Sequence, residues 1–359
     1  MGAPGLKWAA VLVFSMVMIG ASPSVAGDDA PGSPSDQATW DRFPVPGAHC
    51  GDGGDYSVFI RPGEERKVAI AFMGGGACWS EATCYGTEMK TYLSFLPFVP
   101  ISGGFVSQDP EISPVAGWTI VFFPYCTGDM FAANHIARYG KRVVHHVGRS
   151  NVERAFEMLK VKGMLDFEGA TDLVVWGPSA GALSSLFHSQ FIDGLFPRAV
   201  NRALIADAPG LHFGPTVWDK FPPKMLEEFS AGLRKAGVTI EKGKGIIAGI
   251  VPGICKLLPH WSVGVMQSSR DIIMSKLFGE ITRYAHAKAV HSKEGILALT
   301  EDPSDLCRAW VPSSSIHTFL PTNAFLGVKA GGVSAREFFK KVVDREGGPN
   351  RADDQSVTD

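Results

Sequence analysis

The sequence predicts an α/β architecture: a mostly parallel central sheet flanked by helices, with a helical cap inserted late in the chain. Three observations carry this. Short apolar, β-branched runs alternate with stretches of helical spacing, the rhythm of strands joined by right-handed helical crossovers. One run, Asp172-Leu-Val-Val-Trp176, passes through Gly177-Pro-Ser-Ala-Gly181 into a helical pattern. And 359 residues at 45% hydrophobic and 19% charged content are enough for one large core or two average ones.

In chain order, Lys7, the apolar run Trp8–Ile19 and Ser24-Val25-Ala26 read as a secretory signal over residues 1–26, the apolar run being short for a membrane span. No later run is long and apolar enough to span. Residues 27–39, rich in Asp, Pro, Ser and Gly, read as a disordered leader, and residues 40–344 as the folded domain. Tyr56–Arg61 alternates like a strand and turns at Pro62-Gly63; Arg66–Met73 is the next strand and ends in Gly74-Gly-Gly-Ala-Cys-Trp79. The apolar stretch Tyr92–Val106, broken by Pro and Gly, is expected either to line an acyl pocket or to pack as a core loop. Trp118–Pro124 is a buried strand, Asn151–Lys162 a helix and Ala203–Asp207 a strand.

Between about 212 and 260 the strand rhythm breaks, and aromatics mix with lysines as in a helical cap. Its basic residues are expected on a solvated face rather than in an anionic groove. Ser262–Gln267 returns to strand character, Ile272–Lys293 is largely helical, Ala309–Val311 is a short strand and Val333–Val343 a closing helix. Residues 345–359 read as a disordered tail.

The chemistry starts from Ser179. A G-x-S-x-G turn between strand and helix exposes a serine at the tip of a sharp bend, beside helix N-terminal amides that favour a developing negative charge. A glycine run at a strand end lets backbone amides face a ligand. A serine hydroxyl needs a base, and the base an orienting acid. Ser179, Asp271 and His317 occur in that chain order, each just beyond an expected strand, where open α/β sheets place their sites. Asp207 competes with Asp271 for the acid role or braces a loop. His286 and His291 are expected at the surface, and His145-His146 as a strand pair.

Six cysteines, an even set in an exported chain, imply three disulfides. They allow 15 full pairings, among which sequence does not choose; Cys78–Cys84, Cys50–Cys126 and Cys255–Cys307 are preferred. No C-x-x-C occurs and no histidine is near Cys78 and Cys84 in sequence, so no metal site is expected. With a net charge of −2, nucleic acid is not an expected partner, and no cofactor is expected.

Phe72–Trp79 with Cys84, Pro124-Tyr-Cys-Thr-Gly-Asp129 and Gly177–Gly181 resemble the three signature blocks of the pectin acetylesterase/Notum family. The bacterial branch is nearest, and His317-Thr318 resembles its terminal His block. The resemblance runs from about Cys50 to His317, with the insert poorly matched. It implies an α/β-hydrolase fold and a serine carboxylesterase. Ser179 would be nucleophile, His317 base and Asp271 acid, with amides of Gly74, Gly75 and the rest of the run, and of Ala180, forming the oxyanion hole. Pro178 stands where the family often has Cys or Ser, and Met73 where plant members have Glu. The substrate class stays open: deacetylation of a polysaccharide, hydrolysis of a longer acyl, lipid or polyester bond, or a non-catalytic binder on a hydrolase scaffold. The expected location is secreted or periplasmic.

Overall fold

In a computed structural model, residues 40–86, 99–101, 103–301, 306–346 and 351–354 are described. The expected signal and leader lie outside them. Thirteen strands are described: β1 (Asp41–His49), β2 (Asp55–Arg61), β3 (Glu64–Phe72), β4 (Trp118–Phe123), β5 (His135–Tyr139), β6 (Arg142–His146), β7 (Asp172–Pro178), β8 (Asn201–Asp207), β9 (Ser262–Met266), β10 (Cys307–Val311), β11 (Lys329–Ala330), β12 (Val333–Ser334) and β13 (Arg351–Asp353). Eight α-helices accompany them: α1 (Glu81–Tyr85), α2 (Gly148–Val161), α3 (Ala180–Leu195), α4 (Pro223–Lys235), α5 (Ile250–Leu257), α6 (Arg283–Val290), α7 (Ile296–Leu299) and α8 (Ala335–Val343).

Nine strands form the central sheet in the order β1-β2-β4-β3-β7-β8-β9-β10-β13. Pairing is antiparallel at β1–β2 and β2–β4 and parallel from β4 to β13. The alternation within each strand splits the core between the two faces. Val68, Ile70 and Phe72 of β3 join Leu173 and Val175 of β7 on the face covered by α2, α3 and α5. Ala69, Ala71, Val174 and Trp176 point the other way, toward Phe338, Phe339 and Val342 of α8.

This order positions the site. β3 and β7 are neighbours, so the glycine run leaving β3 meets the bend leaving β7. β8, β9 and β10 follow side by side, so the segments after them line up along the same carboxyl edge.

Several elements depart from expectation. β1 was not anticipated, because Pro44, Pro46 and Gly47 do not read as a strand; it lies at the sheet edge, where a missing donor is tolerated. The helix expected over Ile272–Lys293 is a π-helical turn (Ile273–Phe278), a break, and α6. The break is tight: a Cβ on Gly279 would lie 2.3 Å from Met274 O, and Glu280 has a φ of 56°. The closing helix begins at Ala335, after Val333-Ser334 pairs as β12. Arg351–Asp353, placed in the disordered tail, instead extends the sheet beside β10. Of Tyr92–Val106, residues 92–98 and 102 lie outside the described ones. Phe105 and Val106 are buried core, with the Phe105 ring 3.9 Å from Trp176, on the opposite face of the sheet from α3. Residues 212–260 hold a 3-10 turn (Val217–Lys220), α4 and α5.

Candidate active site

Ser179 sits between β7 and α3 with a φ of 55° and ψ of −122°, a strained conformation for a non-glycine residue. Packing enforces the bend. A Cβ on Gly177 would lie 2.2 Å from Gly181 O, and one on Gly181 would lie 2.2 Å from Phe72 O. Both glycines are therefore required by backbone contact, within the bend and against the end of β3. Ser179 N–H donates to Asp207 O at 2.7 Å, tying the bend to β8.

His317 follows β10 and Asp271 follows β9. The two segments are zipped together by backbone bonds: Ser269 N–H to Pro312 O (3.0 Å), Arg270 N–H to Ser314 O (3.0 Å) and Ile272 N–H to Ser315 O (3.3 Å). His317 Nδ1 lies 2.8 Å from Asp271 Oδ2. With Asp271 ionised, Nδ1 carries the proton and Nε2 is the basic nitrogen. Asp271 is fully buried, yet its oxygens are well supplied. Oδ1 accepts from Ile273 N–H and Met274 N–H, both at 2.9 Å, and Oδ2 accepts a further bond from Gln267 Nε2 at 3.2 Å. Burial pushes the His317 imidazole down, but the charge and hydrogen bond of Asp271 outweigh it and hold the pKa above 6.5.

The rival carboxylate takes a different job. Asp207 Oδ2 accepts from Phe319 N–H (2.7 Å) and Leu320 N–H (2.9 Å), just past His317. Thr318, between His317 and Phe319, has a φ of 68°, so Asp207 clamps a strained turn. Its own backbone carbonyl holds Ser179, so one residue links the serine bend to the histidine loop. Burial pushes the Asp207 carboxyl up to about 7.

An open cleft lies over Ser179. Gly76, Ala77, Ser179 and Ala180 form one wall; Phe213, Trp218, Phe221, Phe229 and Met274 form much of the rest. The glycine run packs close beside the serine: a Cβ on Gly74 would lie 2.6 Å from Pro178 O and 3.2 Å from Ser179 Cβ, and one on Gly75 2.7 Å from Tyr125 Cδ1. Lys220 also lines the cleft, with Nζ bonded to Phe278 O (2.6 Å) and Glu280 (3.2 Å). The exposed cap lysines Lys224 and Lys244 pair with Glu227 and Glu241.

The disulfides are Cys50–Cys126, Cys78–Cys84 and Cys255–Cys307, the preferred pairing. His146 comes within 4.8 Å of the sulfurs of Cys78 and Cys84, a proximity invisible in sequence because β6 brings it there. Joined to each other, those sulfurs are not the thiolates a metal needs. His286, expected at the surface, is fully buried and bonds through Nδ1 to Ser269 O at 2.8 Å. Gln267 and Tyr125 were also missed, since their partners are distant or backbone atoms.

A model of the Pectinacetylesterase family matches residues 41–215, which hold the bend, the glycine run and the Cys126–Asp129 block. Over these residues the chain is similar to the pectinacetylesterase family. Among relatives, Pectin acetylesterase 7 of Arabidopsis thaliana is 27% identical over 171 residues, covering 45% of this chain and 42% of that protein. Pectin acetylesterase 11 of the same plant is 25% identical over 210 residues, covering 56% and 49%. The chain thus spans somewhat less than half the length of these relatives. The Wnt deacylase Notum from Drosophila shares the fold, with a TM-score of 0.63 at 15% identity over 88% of this chain and 97% of that one. The chain therefore has an α/β-hydrolase fold. Among its described residues, no helix is long and apolar enough to cross a membrane.

Proposed function

We propose that this chain is an exported carboxylic ester hydrolase that works through an acyl-enzyme on Ser179. The observation that carries the reading is the His317–Asp271 hydrogen bond on the sheet edge that also presents the strained Ser179. His317 Nε2 takes the Ser179 proton as Oγ attacks the ester carbonyl. Asp271 holds the ring and offsets the imidazolium charge. The oxyanion forms against Ala180 N–H at the start of α3 and amides of the glycine run at Gly74 and Gly75. His317 returns the proton to the leaving alcohol, and water then hydrolyses the acyl-enzyme by the same steps in reverse. Three disulfides support an oxidising, extracellular or periplasmic setting.

The cleft favours an apolar acyl group, because its walls beyond the serine are almost wholly aromatic and aliphatic. Acetylated polysaccharide, as the names of the relatives suggest, needs only its acetyl group there; lipid and polyester acyl groups use the same walls.

A serine-directed phosphonate tests the chemistry. It is expected to label Ser179 in the folded protein, not to label Ser179→Ala, and to label His317→Ala more slowly. An unlabelled wild-type protein that still binds an ester ligand would make the chain a binding protein on a hydrolase scaffold.

A further inference from the structure

The cleft opens beside two short elements whose outer faces meet solvent. The π-helical turn Ile273–Phe278 turns Met274 and Phe278 into the cleft. Ile272, which caps the turn, is 44% exposed, and Lys276, four residues on and about one turn later, is exposed too. α6 repeats the pattern. Tyr284 is 53% exposed, and the exposed Lys288, four residues on, shares its face, while His286, Ala287 and Val290 are buried on the other. Both elements meet at Ser315, two residues before His317. Ile272 N–H donates to Ser315 O at 3.3 Å, and the exposed Arg283 donates through Nη1 to Ser315 Oγ at 3.1 Å. The two outer faces therefore lie together at the rim of the cleft, beside His317.

The charge on this rim has one sign, although the chain as a whole carries −2. Arg270, Lys276, Arg283 and Lys288 place four cations within residues 270–288. Of the two carboxylates in that span, Asp271 is buried against His317 and Glu280 is bonded to Lys220. The exposed cap lysines Lys224 and Lys244 have glutamate partners; among the described residues no carboxylate pairs with the rim cations. An exposed aliphatic chain and an exposed phenol ring, each followed one turn later by a lysine, match a lipid–water interface. There the apolar groups enter the headgroup boundary and the lysines snorkel to the phosphates. A soluble polyanion would use the cations alone; a bilayer uses Ile272 and Tyr284 as well. We propose that the outer faces of the π-helical turn and α6 form a docking surface for an anionic lipid bilayer, which holds the mouth of the cleft against the membrane. The surface deepens the esterase reading by bringing membrane-borne acyl esters to Ser179, and it rests on that reading for its use, while docking itself is measured without turnover.

Sedimentation of the secreted protein with vesicles of one part phosphatidylglycerol to three of phosphatidylcholine tests the surface. The protein is expected to bind, and to bind about ten-fold more weakly to phosphatidylcholine alone or in about 0.5 M NaCl. Lys276→Gln with Lys288→Gln should weaken binding about five-fold per lysine. Ile272→Ser with Tyr284→Ser should weaken it about ten-fold with no change in charge. Val161→Ser is the control. Val161 is 81% exposed at the end of α2, which leads to the amino end of β7 at the opposite edge of the sheet, so vesicle binding should stay within about two-fold. The lysine variant should hydrolyse a short soluble ester as the wild type does. Wild-type protein left in the supernatant, binding indifferent to lipid charge, or a lysine variant that binds as tightly as Val161→Ser would overturn the docking surface. Retention on dextran sulfate with vesicles left unbound would give the rim to a polyanion and overturn the lipid assignment. Vesicle binding with the expected variant losses but no Ser179-dependent ester hydrolysis would sustain the surface and sink the esterase reading alone.

Discussion

The serine side of the site and the acid–base side are built by different means. On the serine side, backbone meets backbone: the bend, the end of β3 and the glycine run approach so closely that a single methyl group would lie 2.2–2.6 Å from a neighbouring backbone atom at Gly74, Gly177 and Gly181. On the acid–base side, loops are shaped by side chains that accept backbone N–H groups. Asp271 takes two, and Asp207 takes two more. Backbone contact admits one residue type per position. A carboxylate clamp needs only an acceptor in the right place, and the sequence around it is free to vary.

The largest effect expected from this contrast separates the two buried carboxylates. Asp271→Asn changes the group that fixes the His317 tautomer, so kcat on an ester substrate should fall by about 10⁴ with the fold intact. Asp207→Asn keeps an acceptor for Phe319 and Leu320, and kcat should stay within about ten-fold. Asp207→Ala strands those two buried amides and should cost about 1–3 kcal/mol in denaturant unfolding. Equal kcat losses in the two Asn variants would show that the side chains share one role and would remove the distinction.

The same contrast explains what was legible in the sequence. Gly177–Gly181 and the glycine run can be read from a short window, because local sterics dictate them. Ser179, Asp271 and His317 follow from chain order and from segments just past strands. The sequence does not tell what presses on each glycine, since Gly74 and Gly75 pack against Pro178 and Tyr125 from other segments of the chain. Nor does it place His286: α6, Arg-Tyr-Ala-His-Ala-Lys-Ala-Val, has too few large apolar residues to mark its inner face. β13 lacks strand patterning altogether and is held at the edge by pairing with β10 and by Arg351 ion pairs to Glu301 and Asp353.

A smaller effect is expected from testing the serine side at its tightest point. Gly181→Ala places a methyl group against Phe72 O and the Met73 carbonyl, rigid backbone at the end of β3. Unfolding experiments should register a loss of about 3 kcal/mol or more. Ala182→Gly, one residue further into α3, is the comparison; it should cost about 1 kcal/mol through helix propensity and lost packing. If Gly181→Ala were as mild as that, backbone contact would not be what fixes the bend, and the two sides would be built alike.

The smallest effects are in pH dependence, and the two sides should titrate in different observables. On the serine side, burial pushes His146 and His188 down to about 4, the backbone bonds to Thr127 and Phe131 opposing it. The unfolded chain protonates these histidines near their ordinary 6.5, so their contribution to stability is complete above that value and is lost as pH falls toward about 4. Asp207 runs the other way. Held protonated up to about 7 by burial, its contribution is present below its ordinary 3.8 and is lost as pH rises through about 7. Asp207→Asn should therefore make stability climb more steeply between pH 4 and 7 than in the wild type, and His188→Gln should make it climb less. His317 titrates in activity instead. It must be neutral to act as base, and Asp271 holds its pKa above 6.5, so kcat/KM should rise with pH through a limb above 6.5. In Asp271→Asn the charge is gone while burial remains, and the residual activity should show that limb moved to lower pH. A limb that stays in place would mean that Asp271 does not set the charge state of His317, whatever its distance from the ring.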